Sequence, residues 1–546
     1  MLSEEIKKLK KRFDALNADA KYVRGVQSEL ERYVVPYRGR MFQKDVTEGS
    51  VEWDKYNHYD DTAVTAASIL AASIHSSILP NLQWFYMRFK DDELQDVNDA
   101  SNWLDDSAKR TYHAIDASNF DLESDELIID LTGFGHGFMV HESGGMDDED
   151  LEFSMVPMKE ALFQEGYQGA VEFFFRDLSW TAAKIVSKFG YEGVPDKIKK
   201  AYDNPQNTDT RYNVVFAIFP RRDKKDADTS KPLPPTERPW GHAYFMHEGC
   251  EQLGEEGGYY ENPVYSVPWR TVSGSQWGHG PGHVCLGDIK QLNQHRLMRT
   301  RAVEKAIDPA NITTERGLLS NLDLGPRGLT VLRDIDALKP YEGRANFSIS
   351  TEELMMYRQS IMQAFMVDRL ELKESPAMTA TEVQVRYELM NRLLGPTMGR
   401  IKVQWLNRVV ENVFNIERRA GRLNEMPSSI PEDAEIVIEY VGALATSQKA
   451  QEAAEMTQFA GDIAQLSQMY PNLKYLINDD AMGRELARLR NIPEKVINGK
   501  DAAKSMKKDD EALMQKQQLL QEAAQEGAVM EQTGKGAIAM KEAANA

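Results

Sequence analysis

The chain has 546 residues, enough for about three or four domains of roughly 150 residues each, and 42% of them are hydrophobic, as in soluble globular proteins. Its 85 acidic and 65 basic residues give a net charge of -20, which argues against a protein that simply coats nucleic acid, because phosphate neutralisation dominates such binding. Two cysteines cannot form a disulfide framework, and the charged start MLSEEIKKLKKRF is unlike a signal peptide, so we expect a cytosolic chain or one assembled in a cytosol.

The N-terminal region predicts helices. Apolar residues at positions 2, 6, 9, 13 and 16 recur at helical spacing, and a second helix ends before Pro36. The stretch from Thr62 to Met87 contains no charged side chain apart from histidine, so it invites comparison with a membrane span. It is rich in Ala, Ser and Thr and is broken by Pro80, so we predict a buried helix, capped by Asp61, and no membrane contact.

The middle of the chain predicts a domain of mixed type. From Leu122 to Glu142 a helix runs into GFGHGF, whose glycine spacing fits neither a dinucleotide fingerprint nor a P-loop, so we interpret it as a helix-to-strand turn. Residues 151–268 contain several strand patterns and one short helix, SWTAAKIVSKFG, closed by Gly190. These elements together predict an α+β domain.

Two groups of histidine and cysteine residues suggest a metal hypothesis. They are His242, His247, Glu248 and Cys250, and His279 with His283. On a strand His242 and His247 would point to opposite faces, and the Gly-Pro-Gly centre of the second group prevents a single helical face. We therefore predict no metal, no cofactor and no catalytic residues.

A long helix is predicted from Leu286 to Ile307, and it is basic although the chain as a whole is acidic. At about 1.5 Å per residue it spans roughly 30 Å. Its cations are Lys290, Arg296, Arg299, Arg301 and Lys305, against only two acidic residues. Such a basic helix can bind an anionic partner, but its cations can equally be ordinary solvated groups or partners in salt bridges between subunits.

Residues 308–349 carry turn signals and short strand patterns, as expected of a small module between two helices. Capping boxes at Ser350-x-x-Glu353 and Thr379-x-x-Glu382 predict the starts of two amphipathic helices. Between them lies a short polar loop, Glu371 to Met378. The second helix is interrupted at Gly395-Pro396, where we predict a kink.

The C-terminal part begins with a Pro-rich break and the strand pattern EIVIEYVG. From Ser447 onward, apolar residues repeat at helical spacing. The tail beyond about Lys500 is rich in Ala, Gln, Glu and Lys, so we expect it to be a helix that frays into disorder.

Three of these stretches carry a family resemblance. They are YDDTAVTAASILAASIHSSILPNLQWFYMRF, PWRTVSGSQWGHGPGHVCLGDIKQLNQHRLMRTRAVEKAIDPA, and MTATEVQVRYELMNRLLGPTMGR continuing to FNIERRAGRL. In this order they resemble the portal, or head-to-tail connector, proteins of short-tailed, podovirus-type phages. One departure is Trp277-Gly278, which stands where Tyr-Gly is expected, an exchange of one aromatic residue for another.

The resemblance implies an α+β portal fold assembled as a ring, with an α/β wing, a helical stem, a small α/β clip and a helical crown. The expected division is 1–280 wing, 281–307 first stem helix, 308–349 clip, 350–370 second stem helix, 371–378 channel loop, 379–445 long kinked helix and return strand of the wing, 446–500 crown and 501–546 tail.

The same resemblance implies a non-enzymatic ring, usually of twelve subunits, at the capsid vertex of the virion, assembled in the host cytoplasm. Double-stranded DNA would pass through it during packaging and ejection without sequence-specific contacts. Implied partners are the terminase large subunit, the major capsid and scaffolding proteins, and tail or adaptor proteins. Candidate channel residues are the five helix cations above together with Glu371, Lys373 and Glu374.

Two other classes of function compete with this interpretation. A different virion structural protein, from the tail or internal core, would share the composition but not the order of the motifs. A packaging motor or nuclease would need a phosphate-binding loop or a carboxylate cluster, and the sequence predicts neither.

Overall fold

The structure is a computed structural model of mixed helices and sheets, which confirms the α+β class. It describes residues 2–38, 58–80, 83–91, 94, 97–143, 151–167, 169–224, 232–313, 318–320, 322, 330–334, 336, 338–340, 347–367, 394–431, 434–440, 443–466, 470 and 478–490. The helices are α1 (Leu2–Asp19), α2 (Lys21–Tyr33), α3 (Thr62–Ile78), α4 (Asn98–Asp116), α5 (Phe120–Phe134), α6 (Ala182–Phe189), α7 (Asp196–Asp203), α8 (Pro281–Ile307), α9 (Phe347–Ala364), α10 (Asn407–Arg419), α11 (Ala443–Leu466) and α12 (Asp479–Leu489). The strands are β1 (Phe85–Phe89), β2 (His136–Ser143), β3 (Leu151–Met155), β4 (Ala161–Glu165), β5 (Val171–Thr181), β6 (Arg211–Pro220), β7 (Trp240–Met246), β8 (Gln252–Tyr259), β9 (Val264–Pro268), β10 (Asn311–Thr313), β11 (Leu338–Pro340) and β12 (Ile436–Tyr440).

The chain forms two compact units, each built from two separate stretches. The first contains Met1–Trp84 and Lys109–Leu423, and the second contains Phe85–Ala108 and Asn424–Ala546. The chain therefore leaves the first unit after Trp84 and returns to it at Lys109, and the expected division into wing, stem, clip, crown and tail stays a prediction.

Two antiparallel sheets organise the first unit. Five strands follow one another as a meander in the order β4-β5-β6-β7-β8, and three more form a sheet in which β2 lies between β3 and β9. The interior strand β5, VEFFFRDLSWT, is rich in the aromatic residues that favour strands, and it buries Phe174 and Phe175 completely. The strand patterns predicted between residues 151 and 268 are therefore present, as is the short helix closed by Gly190.

The GFGHGF sequence is the point where the end of α5 and the start of β2 pack closely against the start of α8. Helix α5 ends at Gly135, which has a left-handed backbone (φ 76°) and is followed at once by β2. A side chain at Gly135 would collide with the backbone of Gly280, immediately before α8. The predicted helix-to-strand turn is confirmed, and its glycine allows the start of the long helix α8 to lie against it.

Two buried histidines hold β2 in place. The Gly278 N–H donates to His136 Nδ1 at 3.0 Å, which leaves His136 Nε2 to donate to Ser266 Oγ at 2.8 Å. His141 Nδ1 lies 2.9 Å from the Tyr265 hydroxyl. Burial lowers the pKa of both imidazoles to about 3, so both are neutral core residues.

In the second unit, β1 and β12 pair antiparallel, with Phe89 opposite Ile436. These two residues are separated by 346 positions of sequence, most of which belong to the first unit. Charged pairs flank the ladder, with Arg88 3.2 Å from Glu439 and Lys90 2.5 Å from Glu435. The strand predicted in EIVIEYVG is thus present, and its partner is the strand that follows Trp84. Helices α11 and α12 follow it in the region expected to be helical.

Of the two predicted capping boxes, only the one at Ser350 can be compared with the structure. Helix α9 begins at Phe347, three residues before the box at Ser350, and ends at Ala364. Residues 368–370 of the predicted span 350–370 lie outside the described residues, so that span stays a prediction. The earlier residues already have helical geometry, and the chain turns at Phe365 and Met366, where Met366 has φ 59°. The second box, at Thr379, lies outside the described residues.

Candidate functional site

Helices α8 and α9 form an antiparallel pair that carries most of the predicted site. At about 1.5 Å per residue, the 27 residues of α8 extend roughly 40 Å. Three polar contacts in regular register join the helices, and they are Ser360 Oγ to Asp288 Oδ2 at 2.6 Å, Tyr357 OH to Gln291 Oε1 at 2.6 Å and His295 Nδ1 to Glu353 Oε2 at 3.8 Å. Leu354 and Ile361 of α9 are buried, as is Phe365 just after this helix.

One buried carboxylate, Asp60, ties this pair to the start of α3. Arg358 of α9 donates to Asp60 Oδ2 from Nε at 3.1 Å and from Nη2 at 2.6 Å, and Arg296 of α8 lies 3.4 Å from the same oxygen. The other oxygen, Oδ1, accepts from the Thr62 N–H at 3.1 Å and from the Thr62 hydroxyl. Asn293 completes the junction, because its side-chain oxygen accepts from the Asp60 N–H at 3.2 Å.

The Asp60 carboxylate remains ionised in this environment. Burial alone would raise its pKa, but hydrogen bonds from Thr62 and Arg358 outweigh that effect and lower the pKa below its ordinary value. Asp61 is the N-cap residue of α3, as predicted, but its side chain makes no cap hydrogen bond, and the side chain of the preceding Asp60 accepts the Thr62 N–H instead.

The five predicted channel cations do not share one environment. Lys290 pairs with Glu29 of α2 at 2.6 Å, and Arg296 is engaged by Asp60. Among the residues that the structure describes, none forms an ion pair with Arg299, Arg301 or Lys305. With 3.6 residues per turn, Lys290, Arg301 and Lys305 lie within about 60° of one another around the helix, so they form one basic stripe. Its C-terminal half, Arg301 and Lys305, is exposed.

The comparisons with known proteins agree with the motif order. A family model described as "Bacteriophage head to tail connecting protein" matches residues 6–497. This chain belongs to the head-to-tail connecting protein family. The resemblance drawn from the sequence is confirmed by this match.

Two phage proteins are similar to this head-to-tail connecting protein over most of its length. The "Portal protein" of Salmonella phage epsilon15 is 25% identical over 456 residues, covering 81% of this chain and 80% of the relative. The "Probable portal protein" of Bordetella phage BPP-1 is 24% identical over 519 residues, covering 92% and 89%. A solved chain from "Virion of native gene transfer agent (GTA) particle" is 10% identical and covers 80% of this chain and 90% of its own, but its TM-score of 0.33 supports no argument about the fold.

Other predicted positions of the connecting protein lie partly outside the described residues. Glu371, Lys373 and Glu374 are among those, so their place in a channel stays a prediction. Gly395 and Pro396 fall in the first turn of the helical residues 394–401, where the described part of this helix begins, and the predicted kink there is likewise untested. The following turn is π-helical over Lys402–Leu406, an irregularity that the sequence pattern did not predict.

The π-helical segment of the connecting protein fixes a core residue. Trp405 is completely buried, with its ring 5.8 Å from that of Phe120 at the start of α5. Just before it, Arg400 Nη1 donates to the Trp269 carbonyl at 2.9 Å. A π-turn shifts the side chains of one helical turn around the axis, so both contacts can be made by one continuous helix.

The histidines of the connecting protein form no metal site in the described part of the chain, where no group of three or more metal-binding side chains occurs. His279 and His283 stack with their ring centroids 4.3 Å apart, and the Gly280 N–H donates to His283 Nδ1 at 3.1 Å. Burial lowers the pKa of His283 to about 4, and the pair helps to begin α8. No described helix has the length and apolar character needed to cross a membrane.

The Asp60 junction was missed by reasoning from sequence. Two consecutive aspartates precede α3, and aspartate is a common helix cap. The sequence therefore could not show which of the two side chains accepts a hydrogen bond from Thr62. Arg358 gave no signal, because a single arginine on an amphipathic helix is ordinarily solvated. Only the approach of α3, α8 and α9 makes these side chains partners.

Proposed function

We propose that this chain is a phage portal subunit that forms a closed ring, most simply of twelve copies, around a channel for double-stranded DNA. The observation that carries the proposal is the family match over residues 6–497, together with the similarity of most of the chain to the two phage portal proteins. In this proposal the ring lies at the capsid vertex of the virion, after assembly in the host cytoplasm, and it is not an enzyme.

The proposed subdomains follow the elements of the structure. The two sheets of the first unit form the wing, α8 and α9 form the stem, and the short strands β10 and β11 belong to the clip. Helices α11 and α12 belong to the crown. The clip end meets the terminase large subunit during packaging and tail or adaptor proteins afterwards, whereas the wing contacts the major capsid and scaffolding proteins.

Exposed apolar residues on the stem helices support self-association. Met355 and Met356 of α9 are 62% and 71% exposed, and Met298 and Ile307 of α8 are 55% and 79% exposed. Large exposed apolar side chains concentrated on neighbouring helices are typical of interaction surfaces. Copies related by rotation about one axis would cover these side chains by heterologous contacts, which close into a ring.

The charge distribution supports a conduit. Duplex DNA carries one negative charge per about 1.7 Å, so a channel uniformly lined by cations would retain it strongly. In this chain, with its net charge of -20, the basic stripe of α8 is short, and two of its residues, Arg301 and Lys305, have no ion-pair partner among the described residues. Such a lining would guide DNA without sequence-specific contacts.

The channel role is tested by the double variant Arg301→Gln/Lys305→Gln. If these cations contact DNA, rings should assemble normally, while the amount of DNA retained after packaging should change by a factor of two or more. The matched control is Lys184→Gln/Lys200→Gln, which removes the same charge from α6 and α7. Equal DNA retention in both variants and in the unmodified protein would remove Arg301 and Lys305 from the channel.

A further inference from the structure

A short basic groove lies along α1, where this helix crosses the edge strand β4. The groove has a volume of about 460 Å³, and its basic lining residues are Lys8, Lys11 and Arg12. The opposite face of α1 is anchored, because Ile6 and Phe13 are buried. The three cations are therefore presented from a fixed helix and not from a free terminus.

These cations have no counter-charge of their own. None of the described residues forms an ion pair with Lys8, Lys11 or Arg12, whereas the neighbouring Lys10 pairs with Asp14 at 3.6 Å. The guanidinium of Arg12 lies 3.5 Å from the ring centroid of Phe173, which holds it in one orientation. Its Nη1 has no hydrogen-bond partner among the described residues.

Burial and two charged neighbours, Arg222 and Glu172, act on the pKa of Arg12. Burial, and after it the nearby charge of Arg222, lower the pKa of Arg12 from its ordinary value, and the opposing effect of Glu172 is smaller. A guanidinium held in one orientation is well suited to a carboxylate, because its planar fork matches the two carboxylate oxygens.

The surroundings favour a short acidic peptide over nucleic acid. The cations occupy about one turn of α1, and acidic residues flank them at Glu4 and Glu5 on one side and at Asp19 on the other. A phosphate backbone that continued in either direction along the helix would meet these acids, whereas a run of two or three carboxylates would not. Ala15 and Leu16 add an apolar part to the lining.

We propose that this groove binds a carboxylate-rich peptide segment of a partner protein, one that carries an apolar residue beside its acidic residues. The lysines supply attraction to the carboxylates, the fixed Arg12 guanidinium forms a directed hydrogen-bonded pair with one of them, and the apolar side chain contacts Ala15 and Leu16. The inference concerns the N-terminal helix alone and does not depend on the proposed channel.

The test uses the full-length protein and a fluorescein-labelled ten-residue peptide in which one Glu-Glu-Leu segment is flanked by glycine and serine. Fluorescence anisotropy at about 0.1 M salt should detect binding, and a peptide with glutamine in place of every glutamate should not bind. Lys8→Glu/Lys11→Glu should weaken binding at least ten-fold. Arg12→Lys, which keeps the charge but loses the stacked fork, should weaken it at least three-fold.

The matched control is Lys184→Glu/Lys200→Glu, which makes the same change of net charge on α6 and α7 and should leave affinity within a factor of two. The single variants Lys8→Gln and Lys11→Gln provide the same comparison if the double variant does not fold. The proposal is overturned if the peptide does not bind, or if the control variant loses affinity equally. It is also overturned if a 12-base-pair duplex binds the groove more tightly than the peptide, or if the groove variants change the number of associated subunits.

Discussion

At Asp60 a single carboxylate accepts hydrogen bonds from the start of one helix and from the side of another. It caps α3 through Thr62 and receives two hydrogen bonds from Arg358, while Arg296 lies nearby. Each partner belongs to a different part of the sequence, so Asp60 fixes the relative positions of three helices. A substitution there should affect stability more than its size suggests.

We predict that Asp60→Asn lowers the free energy of unfolding by about 1–3 kcal/mol, the range for losing hydrogen bonds to charged groups. The loss should lie towards the lower end of this range, because both arginines are partly exposed to solvent. Asparagine can still cap α3, so the loss isolates the interaction with the arginines. Urea denaturation at neutral pH measures it. Asp61→Asn, at a side chain 77% exposed, is the control and should change stability by less than about 0.5 kcal/mol. Equal effects of the two variants would contradict the Asp60 junction.

The buried histidines of β2 predict a dependence of stability on pH. The folded-state pKa of His141 is lowered to about 3, while an unfolded histidine titrates near 6.5, so the unfolded chain binds more protons between these values. The stability that neutral His141 contributes is fully present above about pH 6.5 and is lost as the pH falls towards 3.

We predict that His141→Gln reduces the slope of unfolding free energy against pH between about 4 and 6 by up to about 1.4 kcal/mol per pH unit, the value for one proton. Denaturation series at several pH values measure the slope. An unaltered slope in the His141 variant would show that this imidazole is not buried in its neutral form.

At the scale of elements, the sequence predicts a helix or strand reliably where a long hydrophobic pattern repeats. It predicts poorly where tertiary contacts decide at which residue an element starts or becomes irregular. Helix α8 and strand β12 follow from their patterns. The start of α9 does not, because a capping box at Ser350 marks a possible start, yet the helix already begins at Phe347. The π-turn at Lys402–Leu406 gave no signal because it depends on the packing of Trp405 against Phe120.

In the candidate site too, the sequence predicts the character of a helix but not the contacts of its side chains. The basic character of α8 is readable from its sequence, but the distinction between engaged and unengaged cations is not. Arg296 and Arg301 are alike in sequence, and only the position of Asp60 neutralises the first. Charge counting therefore finds the helix, whereas its contacts with α2 and α3 decide which cations remain available.

The apolar surface of α9 gives a prediction about assembly. Met355→Glu/Met356→Glu should reduce ring formation at least ten-fold, because charged side chains would have to be buried at a subunit contact. Analytical ultracentrifugation measures the loss. Leu122→Glu, at a leucine of α5 that is 73% exposed, is the control and should assemble normally. Normal rings from the methionine variant would place α9 outside the subunit contact.

At the scale of the whole molecule, two compact units are each built from distant parts of one chain. Strands β1 and β12 pair although the greater part of the first unit lies between them in sequence, so the second unit can complete its sheet only when both stretches are present. The family resemblance implied a return strand of the wing within residues 379–445, but it did not identify β1 as the partner of that strand, because strand pairing over such a separation leaves no local pattern.

The charge of the whole chain is consistent with the DNA channel that we propose. A net charge of -20 disfavours general adhesion to nucleic acid, while the unpaired part of the α8 stripe confines attraction to a small region. This interpretation requires the stripes of several subunits to surround one axis. The central claim is therefore about assembly.

Native mass spectrometry of the purified full-length protein, combined with electron microscopy of the same sample, tests that claim most directly. We predict one dominant closed assembly, with the mass of about twelve subunits and a central channel wide enough for the roughly 20 Å diameter of duplex DNA, as the proposed heterologous contacts require. A sample that remains monomeric across protein concentration and salt, or that forms compact particles without a channel, would contradict the account.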